Sequence, residues 1–119
     1  MIGGNTSAVL QVYTVTKNEH GTQSKVWVDA VELKGWLDYQ SGDARYNSYN
    51  AKIQESTHIF ICGYMPIPAT LEIEGKIVRV NTENARIVAN SQFYDVLLID
   101  NPMNLNKQLE IYLKFTGGQ

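Results

Sequence analysis

His58 and Cys62 stand four residues apart in the run Thr57-His58-Ile59-Phe60-Ile61-Cys62, a spacing that puts two side chains on one face of a strand. An imidazole and a thiol so placed could form a nucleophile pair or half of a zinc site. A structural zinc site takes four nitrogen or sulfur ligands. His20, His58 and Cys62 are all the histidine and cysteine in the chain, so carboxylates would have to complete the set. A small buried thiol beside a satisfied histidine fits these residue types better, because free cysteine is among the most buried side chains. The chain has no Gly-x-Ser-x-Gly elbow, no phosphate-cradling glycine loop and no dinucleotide fingerprint. The expectation is a protein with no active site, no cofactor and no metal. A pocket combining His58, Cys62 and a carboxylate would reverse it.

A second group of chemically capable residues lies between Gln40 and Ser56. Tyr46 and Tyr49, with Tyr39 at the base, stand near Arg45 and Lys52, and aromatic rings among cations are what single-strand nucleic-acid binders stack on bases. The charge of the segment cancels, however, Arg45 and Lys52 standing against Asp43 and Glu55. The whole chain carries 10 Lys+Arg against 12 Asp+Glu, a net charge of −2, which leaves no basic excess to release counterions from a polyanion. Packing or protein contact is therefore the favoured reading of these tyrosines.

The elements that must position these residues are almost all strands. Ser7 to Thr16 interleaves β-branched residues over a strand length. Lys17 to Thr22 is polar and reads as a hairpin connection. Lys25 to Tyr39 is a longer extended stretch whose apolar phase moves from Val26, Val28 and Ala30 to Val31, Leu33, Gly35 and Leu37. A slip of one residue is what a β-bulge produces. From Gln40 to Ser56 no period holds, apart from at most a turn of helix around Asp43–Ile53, and loops of such length are usually functional or disordered. Thr57 to Cys62 resumes as a strand, ended by Gly63 and the prolines of Met65-Pro66-Ile67-Pro68. Ile77 to Val80 and Arg86 to Ala89 are short strands, with a tight turn at Asn90-Ser91. Phe93 to Ile99 runs back, and the unalternating Val96-Leu97-Leu98-Ile99 predicts a strand covered on both faces. In the last strand Leu109, Ile111, Leu113 and Phe115 are expected inward, with Glu110, Tyr112 and Lys114 outward.

With 119 residues and one cysteine, a single domain over 1–119 is expected, and a disulfide-stapled secreted scaffold is excluded. The predicted fold is all-β: a small antiparallel barrel or sandwich of SH3-like size, six or seven strands, with one long loop (40–56) inserted between the second and third strands. Residues 1–6 and 117–119 are expected to be flexible ends. Met1-Ile2-Gly3-Gly4-Asn5 carries no readable secretory signal, and no stretch approaches a membrane helix. A cytoplasmic origin with no membrane partner is the simplest expectation.

Three stretches in order resemble a known family. They are Val26-Trp27-Val28-Asp29 leading to Gly35-Trp36-Leu37-Asp38 and Ser41-Gly42; Glu55-Ser56-Thr57-His58-Ile59-Phe60; and Tyr94-Asp95-Val96, Ile99-Asp100-Asn101-Pro102-Met103 with Leu109-Glu110-Ile111-Tyr112-Leu113-Lys114. Together, over Ser24 to Phe115, they resemble the head–tail joining proteins of tailed bacteriophages, also called head-closure or stopper proteins, including prophage copies. The resemblance implies a small β-barrel in a homo-oligomeric ring at the neck of the virion. That ring lies beneath the portal and its adaptor ring and above the tail proteins. It also implies synthesis in the bacterial host cytoplasm. In some members the long loop enters the central channel and helps to retain packaged DNA. By position that loop is 40–56 here, with Gly42, Asp43, Arg45, Tyr46, Tyr49, Lys52 and Glu55 as candidate inter-subunit or channel residues. The alternative expectation is an OB- or SH3-like barrel binding nucleic acid or a peptide, which a basic or aromatic face on the folded barrel would favour.

Overall fold

In the computed structural model, residues 6–39 and 51–118 are described. Among the described residues eight strands form: β1 (Thr6–Lys17), β2 (Gln23–Tyr39), β3 (His58–Gly63), β4 (Thr70–Ile73), β5 (Lys76–Arg79), β6 (Ala85–Ala89), β7 (Gln92–Asp100) and β8 (Gln108–Gly118), with a short helix, α1 (Ala51–Glu55), before β3. Six of them close into an all-antiparallel barrel in the order β1-β2-β3-β8-β7-β6, while β4 and β5 make a separate hairpin. The architecture is thus a barrel and not a sandwich, and closure removes the open edges that a six-stranded sheet would expose.

Local sequence explains most of the strand ends. Asn18 turns the first hairpin by accepting the His20 and Thr22 N–H groups on Oδ1, both at 2.9 Å. Asn90 and Ser91 both have positive φ, 52° and 63°, as the tight two-residue hairpin between β6 and β7 requires. Glu74 and Gly75 do the same between β4 and β5, with φ of 53° and 79°.

The phase slip in β2 is a bulge. Leu10 faces Val31 but Gln11 faces Asp29, so Ala30 is the extra residue. A second irregularity corrects the reading of Val96–Ile99. Val96 faces Leu113 and Leu98 faces Tyr112, leaving Leu97 as the extra residue. Leu97, Leu98 and Ile99 are all half-buried; the alternation fails because the strand bulges, not because both faces are covered. The ladder also reaches both ends of the described chain. Thr6 already pairs with Gly35, and Gly117 and Gly118 pair with Phe93 and Gln92.

The core is the barrel interior. Leu10, Val12, Phe60, Ile87, Ile111 and Leu113 are fully buried, joined by Ile73 from the β4–β5 hairpin. Phe115 departs from the inward expectation with 41% of its surface exposed, because β8 has by then passed the end of the packed interior.

The two ends of the barrel differ. β1 pairs with β6 only over Ala8–Val12, and β2 pairs with β3 only over Gly35–Tyr39. The rest of the β1–β2 hairpin, Tyr13–Lys17 with Gln23–Trp27, stands beyond the barrel as a two-stranded ribbon. The β4–β5 hairpin lies against it, Lys76 Nζ reaching the Val15 carbonyl at 3.4 Å. At the other end lie the β6–β7 turn and the connection from β2 to β3.

Candidate functional site

The β2–β3 connection begins and ends at one place. Tyr39 and His58 are cross-strand partners, yet residues 40–57 separate them, where a hairpin needs two to five. The barrel does not need this length to close. Gly42, Asp43, Arg45, Tyr46 and Tyr49 lie outside the described residues. Lys52 and Glu55 belong to α1, with Glu55 exposed. The helical turn expected around Asp43–Ile53 overlaps α1 at residues 51–53, and the rest of that expectation lies outside the described residues. α1 packs against β7 and β8, and Ser56 after it is buried, its hydroxyl donating to the Ile53 carbonyl.

The returning limb is fixed firmly. Thr57 N–H donates to the Leu113 carbonyl at 2.8 Å, and its hydroxyl accepts the Phe115 N–H at 2.8 Å. That hydroxyl also meets His58 Nδ1 at 2.9 Å. The His58 ring is surrounded by Tyr39, Tyr94 and Phe115, with centroids 5.2, 5.1 and 6.3 Å away. Tyr39, 80% exposed, completes an aromatic collar at the root of the insert. Edge-on and tilted ring pairs of this kind contribute beyond their buried area.

His58 and Cys62 share a strand face, as their spacing predicts, but they do not meet. Fully buried Phe60 lies between them, and four residues of strand span roughly 13 Å. Burial pushes the Cys62 thiol up and the His58 imidazole down from their ordinary values. Both shifts oppose a thiolate–imidazolium pair. His20 lies in the exposed first turn, 3.8 Å from Glu19. Among the described residues no three His, Cys, Asp or Glu side chains converge as metal ligands.

The depressed His58 pKa has a consequence for stability. The unfolded chain takes up this proton more readily than the folded one, so the contribution of the neutral ring is complete above about pH 6.5. It is lost as pH falls through the folded pKa. Melting temperature should therefore decline as pH falls below about 6.5. His58→Phe, which keeps the ring contacts, should flatten that decline. Equal slopes for the two proteins would refute the assignment.

A second arrangement escapes sequence reading because its members come from four strands. On the outer face where the ribbon leaves the barrel, Lys25 Nζ lies 4.4 Å from the Tyr13 ring centroid, and Tyr13 packs on Trp27 at 4.8 Å. The Arg86 guanidinium is held between Trp27 and Phe93, 3.9 and 4.1 Å from their centroids. Arg86 Nε donates to Gln11 Oε1 at 2.8 Å, and Gln11 Nε2 donates to Asp29 Oδ1 at 2.9 Å. The ladder borders a cleft of about 460 Å³ whose rim carries Lys25 and Arg86 but also Glu83 and Asp95. Its charges cancel, and its rings are already taken up by one another and by two cations.

The ladder braces the ribbon against the barrel. Arg86→Ala removes two cation–π contacts and a charge-assisted hydrogen bond, an expected loss of about 2–3 kcal/mol. Arg86→Lys should recover less than half of it, since a point charge does not stack on two rings. Denaturant unfolding of the three proteins measures both quantities.

The chain matches no protein-family model and no curated protein.

Proposed function

We propose that this protein is a structural virion component, a subunit of the ring that joins a phage head to its tail, with the segment 40–56 serving contacts made after folding. One observation carries the reading. The barrel closes through the direct pairing of Tyr39 with His58, so joining these two strands does not require a connection of this length. An insertion on a finished scaffold is where binding function is usually carried. Its returning limb is pinned by Thr57 and the aromatic collar, which suits an arm that must leave its barrel in a fixed direction. The balanced charge of the segment suits obstruction of a channel better than a grip on DNA, since nonspecific DNA binding is carried by Lys and Arg.

The reading as a nucleic-acid-binding barrel draws less support. The face that would favour it is aromatic and cationic, but its stack is closed on itself and acidic residues share its cleft. Base stacking needs an open ring face.

Sedimentation of the protein with a portal bearing its adaptor ring tests the proposal. Stoichiometric joining to that connector complex, seen as an added ring by electron microscopy, is the expected result. Monomeric behaviour of the isolated protein is compatible with a ring built only on its docked neighbour. Failure to join the connector complex is not.

A further inference from the structure

The ribbon that stands beyond the barrel has a strand edge that closure leaves uncovered. β3 flanks β2 only from Gly35 onward, and among the described residues no strand pairs with residues 23–34 on the side away from β1. No backbone hydrogen bond outside the ladders reaches them either. The phase of the β1–β2 ladder identifies the groups left over. Asn18 N–H donates across the hairpin to the Thr22 carbonyl at 3.0 Å, while the Val15 carbonyl accepts Lys76 Nζ from outside it at 3.4 Å. Backbone groups alternate sides along a strand. Those of Val15 and its partner Lys25 therefore point away from the hairpin, and so do those of Trp27 and Asp29. A row of unmet N–H and C=O groups is a template for another strand. The Ala30 bulge ends the straight run.

The side chains point to the same vacant side. Val28 is half-buried although its cross-strand partner Val12 is fully buried, and Val26 is half-buried too. Both pack against the core, and what they lack is a flanking strand. Lys25 and Asp29 are exposed, and neither forms an ion pair among the described residues. The run Lys25-Val26-Trp27-Val28-Asp29 is its own complement. Laid antiparallel beside a second copy with Trp27 facing Trp27, Lys25 meets Asp29 and Val26 meets Val28, twice over. Opposite charges then stand at both ends with apolar pairs between them, and the free backbone groups of Lys25, Trp27 and Asp29 meet in the hydrogen-bonding phase.

We propose that two copies of this chain pair edge to edge along this run, antiparallel about a two-fold axis at Trp27. The contact is isologous and closes on two copies, so it belongs to the free protein and stands apart from the ring reading. So short a pairing is below the size of a permanent interface, and the dimer forms at high protein concentration and dissociates on dilution. Sedimentation of the full chain over a concentration series tests it, with a shift from monomer to dimer as the expected result. Lys25→Glu and Asp29→Lys each oppose like charges twice in the dimer and should weaken it about tenfold or more. Their melting curves should stay close to the parent's, both positions being exposed. An equal mixture of the two variants should dimerise about as well as the parent, because the hybrid dimer has both charge pairs restored. A carbodiimide, which joins an amine to a carboxylate with no spacer, gives a readout that needs no variant. Within one strand Lys25 and Asp29 are roughly 13 Å apart, so an amide between them must cross between copies, and mixing nitrogen-15-labelled with unlabelled protein should yield it as a hybrid peptide. A parent monomeric at every concentration, a dimer indifferent to both variants, a mixture no better than its components, or a cross-linked dimer without the Lys25–Asp29 amide would each overturn the pairing.

Discussion

Gly35→Ala should be the most damaging single substitution in this protein, costing about 4 kcal/mol or preventing folding outright. Gly35 lies in β2 where the strand is paired on both sides, with Thr6 of β1 and Cys62 of β3. A Cβ there would be 2.9 Å from the Cys62 Cα and closer still to the Ile61 carbonyl oxygen. Both are backbone or buried atoms with no rotamer to change, so relief requires moving β3 away from β2 and opening the barrel. Against a total stability of roughly 5–15 kcal/mol for a domain of this size, that is a large share. Gly63 supplies the control: it also lies in a strand, yet a Cβ there meets nothing within 4 Å. Gly63→Ala should be neutral, or stabilising by about 0.5–1 kcal/mol through the unfolded chain. Chemical denaturation of both variants decides the matter, and an unharmed Gly35→Ala protein would mean that β2 and β3 are not packed as described.

Replacing residues 41–50 with a short Gly/Ser linker should have the opposite profile, leaving the fold intact and abolishing function. Tyr39 and His58 remain cross-strand partners whatever joins them, and α1 with Ser56 keeps its packing on β7 and β8. Halving a loop changes its closure entropy by only about 0.6 kcal/mol, so the unfolding midpoint should scarcely move. Particle completion or DNA retention should fall by orders of magnitude if the segment meets other subunits or obstructs the channel. Wild-type infectious titre from particles carrying this variant would remove the segment from the mechanism. Stability and titre are measured on the same protein, so a folding defect cannot pass for a functional one.

How much of this was legible in the sequence depends on whether a feature is local. Alternation in β1 and β8, the Asn90-Ser91 turn and the slip at Ala30 each arise from a few adjacent residues, and each is found close to where the sequence puts it. β4 was missed because Thr70-Leu71-Glu72-Ile73 is too short and too close to the prolines to show a period, although Ile73 is a core residue. Val96–Ile99 was misread because a bulge and a doubly buried strand both erase alternation, and only the partner strand tells them apart. Of the candidate residues in the insert, position along the chain identified the segment but not what each side chain does.

The amino-acid order alone determined an all-β chain, the near ends of its strands and the long stretch between the second and third of them. These follow from backbone preference and side-chain alternation, which act over two to ten residues. Only the tertiary structure decided that the sheet closes on itself, that Arg86 is clasped by rings from two other strands, and that His58 and Cys62 stay apart. It also decided that Met103 faces solvent. Each depends on which strands become neighbours, a choice set by burying one common core from residues far apart in sequence.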